Sequence, residues 1–264
     1  MRFSLCMGGG KRLGPLEEAI PAVKEIGYDG IEILSWEPAQ VDAMRALSEE
    51  NGLPVVSVGS GANLVRLGSP ETAEETVEQL ETRVRAAARL GDCVVLVTGG
   101  RLTPVPGRPG GPSEVARILQ AAAKALSRPG RLAEDLGICL VVEPLNRYES
   151  NVISTLEEAD RFAKMVGGGG VKIMADVYHM NIAEESITGP LREKAEVIRH
   201  VHFADNHGGV PGTGTLNFKE ILRTLKEIGY RRYVSLELHR PVEDYQSAIK
   251  KNLAYLRALD ILLS

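Results

Sequence analysis

The chain has 264 residues, 44% of them hydrophobic and 25% charged, with a formal net charge of −4. That length suits one large globular domain and is common for α/β barrels, and the charge offers no electrostatic footprint for nucleic acid. Apolar runs such as "CVVLV" and "ICLVV" are far too short to span a bilayer, and the start, "MRFSLCMGGGKRLG", lacks the long apolar core of a signal peptide. Cys6, Cys93 and Cys139 all fall in predicted strands, where they read as buried thiols rather than as disulfides or a metal cluster. The expectation is a cytoplasmic protein with neither nucleic acid nor membrane as partner.

From one end to the other, short apolar runs alternate with longer segments of helical spacing. "RFSLCM" is the first predicted strand, and the glycines of "MGGGKRLG" follow as a loop. They lack the spacing of either Gly-rich phosphate fingerprint. "PLEEAIPAVKEIG" reads as a helix, "GIEILS" as a strand, "AQVDAMRALSEENG" as a helix and "PVVSVGS" as a strand. Next come the helix "SPETAEETVEQLETRVRAAARLG", the strand "CVVLVTG", a long Gly/Pro-rich loop and the helix "SEVARILQAAAKALSRPGRLAEDLG". The second half continues with the strand "ICLVVEP", the helix "TLEEADRFAKMVG" and the strand "VKIMADV". A weaker helix broken by "GP", the strand "RHVHFAD", the helix "NFKEILRTLKEIG" and the strand "YVSLELH" complete the order. Several helices end at glycine, Gly27 and Gly52 among them, and "STLEEA" has the form of a helix N-terminus. About eight βα units of roughly thirty residues predict a single (β/α)₈ TIM barrel spanning 1–264, in preference to a doubly wound open sheet.

Barrel strands carry their active-site groups at their C-terminal ends. Here the fifth strand ends on Glu143, the sixth on Asp176, the seventh on His202 and the eighth on Glu237. Any one of them would serve as an ordinary turn residue. Four buried polar groups on consecutive strands are costly without a common partner, and a shared divalent cation would neutralise the carboxylates. Three carboxylates and one imidazole form a hard, oxygen-rich set suited to Mn²⁺, with Mg²⁺ or Co²⁺ as alternatives and Zn²⁺ less suited. His200, two residues before His202, is the rival ligand on the same strand face. His207 and His239 read as loop residues. Asn146, Arg147 and Glu149 crowd the end of the fifth strand, Arg147 reading as an ion-pair partner behind the site.

"EPLNRYE", "ADVYHMNIAEES", "HVHFADN", "PGTG" and "SLELH" together resemble the sugar isomerase/epimerase family with a xylose-isomerase-like barrel. Within it the resemblance is to ketose 3-epimerases of the tagatose and psicose type. The resemblance implies a metal quartet at Glu143, Asp176, His202 and Glu237, with Glu143 and Glu237 as catalytic acid/bases. It places Glu149 and His179 on the substrate. The implied reaction is metal-dependent epimerisation of a ketose next to its carbonyl, at C3, through a cis-enediolate. A small-molecule sugar is then the expected partner, with homo-oligomer formation left open. One position departs from the pattern: where the family has an Arg six residues after the metal histidine, this chain has Gly208, which predicts broader selection at the far end of the sugar.

Enzymes of the inosose-dehydratase or hydroxypyruvate-isomerase type remain alternatives with similar ligands. A non-catalytic sugar-binding barrel should not retain both acid/base glutamates. An apurinic endonuclease of the endonuclease IV type needs three zinc ions and further histidines from earlier strands, and this chain has no histidine before His179.

Overall fold

A computed structural model of the chain describes residues 1–8, 13–103 and 111–264. Strands β1 (Arg2–Met7), β2 (Gly30–Ile33), β3 (Val55–Asn63), β4 (Val94–Thr98), β5 (Cys139–Glu143), β6 (Val171–Asp176), β7 (Ile198–Phe203) and β8 (Tyr233–Leu236) pair in parallel, each with the next. β8 returns to β1, so the sheet closes into the predicted (β/α)₈ TIM barrel.

The main outer helices are α1 (Leu16–Ile26), α2 (Val41–Asn51), α4 (Ala73–Ala87), α5 (Pro112–Asp135), α6 (Leu156–Val166) and α9 (Phe218–Glu227). Each corresponds to a segment of helical spacing in the sequence. Gly27 and Gly52 end α1 and α2 at φ of +103° and +56°, the left-handed region that glycine enters without a Cβ clash. Thr155 and Glu158 cap the start of α6 reciprocally. The weak "GP" segment forms only the short α8 (Thr188–Glu193).

Three helices go beyond the sequence reading. α3 (Leu64–Gly68) and α7 (Val177–Ala183) are too short to show a period, and only their caps, Asn63 and Asp176, betray them. α10 (Tyr245–Leu262) follows β8 and buries Ile249, Leu253 and Leu256, while Ile261 and Leu262 stay exposed and blur its apolar stripe. The predicted loops after β1 and β4 fall partly outside the described residues, at 9–12 and 104–110.

Alternation along the strands sorts the core into two parts. Residues such as Phe3, Ile31, Val95, Leu140 and Phe203 face the helices in the large outer core. Val94, Leu96, Val141 and Met174 form a separate cluster. The period of two then continues from Val141 to Glu143 and from Met174 to Asp176, bringing carboxylates onto the face of that inner cluster. Met174 is fully buried beneath Asp176, so Met174→Ala should destabilise the protein by about 2–5 kcal/mol. A denaturant midpoint close to wild type would show that the inner cluster does not support the strand ends.

Candidate metal centre and active site

One donor atom each from Glu143, Asp176, His202 and Glu237 lies within 4.8 Å of all the others. Strand register makes this possible, since Asp176 stands opposite His202 and His202 opposite Ser235, two residues before Glu237. Glu143, Asp176 and His202 are buried, whereas the Glu237 side chain keeps 17% of its exposure and forms the open side of the group.

Asp176 divides its two oxygens between structure and site. Oδ1 accepts the N–H groups of Tyr178 and His179 at 2.7 and 3.3 Å, capping α7. Oδ2 is left facing His202 Nδ1 at 3.8 Å, His179 Nε2 at 3.9 Å and His239 Nε2 at 3.2 Å. Burial alone would push this carboxyl up, but the facing imidazoles, His179 first and then His202 and His239, outweigh it and hold it well below the usual range.

His202 is oriented from behind by a residue the sequence reading did not single out. Glu32, on β2, is fully buried, and its Oε2 lies 2.8 Å from His202 Nε2 and 2.9 Å from His200 Nε2. Its Oε1 accepts the Ser57 hydroxyl at 2.8 Å. A carboxylate there fixes a hydrogen on Nε2 of His202, which turns Nδ1 toward the quartet. Nδ1 lies 2.7 Å from Glu237 Oε2 and 3.8 Å from Glu143 Oε1. A bare nitrogen lone pair pointed at carboxylates is repelled, so this atom must hold a proton or face a cation. Burial lowers the affinity of His202 for that proton, but Glu32 and Glu237 outweigh burial and hold it well above the ordinary histidine value. Glu143 is pushed well up, first by burial and then by the charge of Glu237. The donor set therefore lacks positive charge, and a divalent cation fits it. His200, the rival ligand, is turned away onto Glu32.

His179 and Glu149, assigned by resemblance to the substrate, meet beside the quartet through Asn146. The Asn146 side-chain oxygen accepts Tyr148 N–H at 2.9 Å, which orients the amide. Its Nδ2 then donates to Glu149 Oε1 at 2.8 Å and to His179 Nδ1 at 2.8 Å, and the Asn146 backbone N–H donates to the same Nδ1 at 3.3 Å. With two donors on Nδ1, the neutral His179 ring carries its hydrogen on Nε2, 4.0 Å from Glu143 Oε1. That places a hydrogen-bond donor beside the carboxylates. Arg147 donates to the Ile182 carbonyl instead of entering the site, and no ion pair is found for it among the described residues. His207 ties its own loop, accepting Gly209 N–H at 2.9 Å. His239 lies in the segment after β8, as expected of a loop residue, and its Nε2 comes 3.2 Å from Asp176 Oδ2. A cavity of about 1190 Å³ lies elsewhere, lined by residues of α3, α5 and α6 including Val65, Ile118 and Phe162.

A family model for the xylose isomerase-like TIM barrel matches residues 20–259, and the chain belongs to that family. It is 31% identical over 247 residues to the 3-dehydro-D-guloside 4-epimerase of Escherichia coli K12, an alignment covering 89% of this chain and 91% of the relative. To a ketose 3-epimerase of Arthrobacter globiformis it is 31% identical over 219 residues, covering 80% of this chain and 73% of the relative. The crystal structure of an E. coli 3-keto-D-glucoside 4-epimerase in its apo form superposes with a TM-score of 0.88 at 28% identity, covering 98% of this chain and 99% of the other.

Glu32→Gln keeps the volume but loses the charge that orients His202, and should weaken Mn²⁺ binding by about 10–100-fold in calorimetric titration. Unchanged affinity would mean that Glu32 only packs. The raised His202 value also sets a pH dependence. In the metal-free protein the charged imidazole stabilises the fold below the unfolded value of about 6.5, and that stability is lost as pH rises through the higher folded value. A cation must displace this proton, so Mn²⁺ affinity should rise between about pH 6 and about pH 8, with proton release. A flat profile would contradict the protonated Nδ1.

Proposed function

We propose that the protein is a divalent-metal-dependent sugar epimerase that inverts a carbon next to a carbonyl, acting at C3 of a ketose through a cis-enediolate. The observation that carries this reading is the convergence of Glu143, Asp176, His202 and Glu237, with Glu143 ending β5 and Glu237 directly following β8. The relatives, which are named as sugar epimerases, support it. Mn²⁺ is the ion favoured by three carboxylates and one imidazole, with Mg²⁺ or Co²⁺ as alternatives. When bound, it supplies Lewis-acid polarisation of the carbonyl and the neighbouring hydroxyl. Glu143 takes the C–H proton from one face of the sugar and Glu237 returns one to the other face, or the reverse, so no atom is lost and only configuration changes. The Nε2–H of His179 donates to the carbonyl end, and Glu149, held by Asn146, accepts from a sugar hydroxyl. The unpaired thiols accord with a cytoplasmic setting.

A second reading has its own support. One nearly full-length match is to an enzyme named for C4 of a 3-dehydro-guloside, and Gly208 brings no side chain to the β7–α9 loop. Removal of a proton next to a ketone is common to both reactions, and only the carbon differs.

The test is incubation of the Mn²⁺-loaded protein in D₂O with free ketoses, phosphorylated ketoses and 3-keto-glycosides, followed by NMR. Deuterium should enter at the carbon adjacent to the carbonyl, with inversion there. Loss of water from the sugar would favour a lyase instead. Glu143→Gln and Glu237→Gln should each lower turnover by about 10²–10⁴-fold, and each should exchange deuterium into a different epimer. Both variants exchanging the same epimer would rule out a two-face mechanism.

A further inference from the structure

His239 enters the mouth of the site from the segment after β8. Its Nε2 lies 3.2 Å from Asp176 Oδ2 and 3.7 Å from Glu237 Oε2. Facing two carboxylates, that nitrogen carries a hydrogen and is a donor. The ring stacks on Tyr178 with centroids 4.3 Å apart and planes 25° apart, and meets His179 edge-on at 5.1 Å. The His239 side chain keeps 17% of its exposure, so a ligand can reach it.

Its position is built by the neighbouring loop. The N–H groups of His239 and Arg240 both donate to the Gly208 carbonyl, at 3.0 and 3.2 Å. Gly208 has φ of +73°, and a Cβ there would come 3.0 Å from the His239 Cβ. A side chain at position 208 and His239 in this place therefore compete for the same space. Asp205 fixes the loop from below: its carboxylate accepts N–H groups of Asn206, Gly212 and Gly214 at 2.8 Å each and of Leu216 at 3.1 Å.

Asp176, His179 and His239 also have the spacing of a second cation site. The hydrogen on His179 Nε2, fixed by the two donors on its Nδ1, removes the lone pair such a site would need. We propose that His239 is a substrate-contacting residue whose Nε2–H donates to an oxygen of the bound sugar and helps decide which sugars fit. This rests on the sugar-epimerase reading of the site.

Three variants separate the roles: His239→Phe keeps a ring for Tyr178 but has no donor, His239→Gln keeps a donor, and His239→Ala has neither. Mn²⁺-loaded protein is titrated calorimetrically with D-fructose, D-tagatose and methyl 3-keto-glucoside, and turnover is followed by NMR. All three variants should bind Mn²⁺ as wild type does. His239→Phe and His239→Ala should weaken sugar binding and raise KM by about tenfold, the loss of one net hydrogen bond, with a smaller fall in kcat. His239→Gln should recover part of the loss and reorder the three sugars. Wild-type sugar affinity in His239→Phe and His239→Ala overturns this inference alone, as does loss of Mn²⁺ from them, which would make His239 a ligand. Wild-type protein that binds none of the three sugars overturns the epimerase reading, and this inference with it.

Discussion

Repulsion among buried carboxylates is the constraint around which this barrel end is organised. Glu32, Glu143 and Asp176 are buried and Glu237 half-buried, all within reach of one imidazole, His202. In a dry interior such a group is tolerable only if positive charge is added or protons are bound. Both responses are visible in the raised values of Glu143 and His202. On the proposed reading, a divalent cation would replace those protons and turn an unfavourable cluster into a Lewis-acid site.

The surrounding residues act on that cluster in layers. Asp176 gives one oxygen to the start of α7 and the other to the site, so the helix and the quartet share an anchor. Glu32 and Ser57 hold His202 from the barrel interior. Asn146 orients Glu149 and His179 with a single amide, and Asp205 stiffens the loop that carries Gly208 and, through it, His239. Carboxylates, imidazoles and an amide thus arrive from different parts of the chain and are held in place by direct hydrogen bonds between them.

Much of this was legible in the sequence. An apolar run ending on a carboxylate or imidazole is a strong signal when four consecutive strands repeat it, and the alternation of two residues carries it to the right face. Glu32 left a fainter trace, as the one charged residue inside the strand "GIEI". It was hidden because its partners lie on β7, 168 and 170 residues away. His239 could not be placed because its position depends on the Gly208 carbonyl, a contact between two loops that no spacing encodes. α3 and α7 are shorter than the period that would reveal them.

The central claim is that one cation sits among the three carboxylates with a single histidine nitrogen, His202 Nδ1, bound to it. Electron spin-echo envelope modulation of the Mn²⁺-loaded protein, selectively ¹⁵N-labelled at histidine, tests this most directly. The account predicts coupling to one histidine nitrogen, retained in His200→Gln and His239→Phe and lost in His202→Gln. Coupling to two histidine nitrogens, or a signal that survives loss of His202, would contradict it.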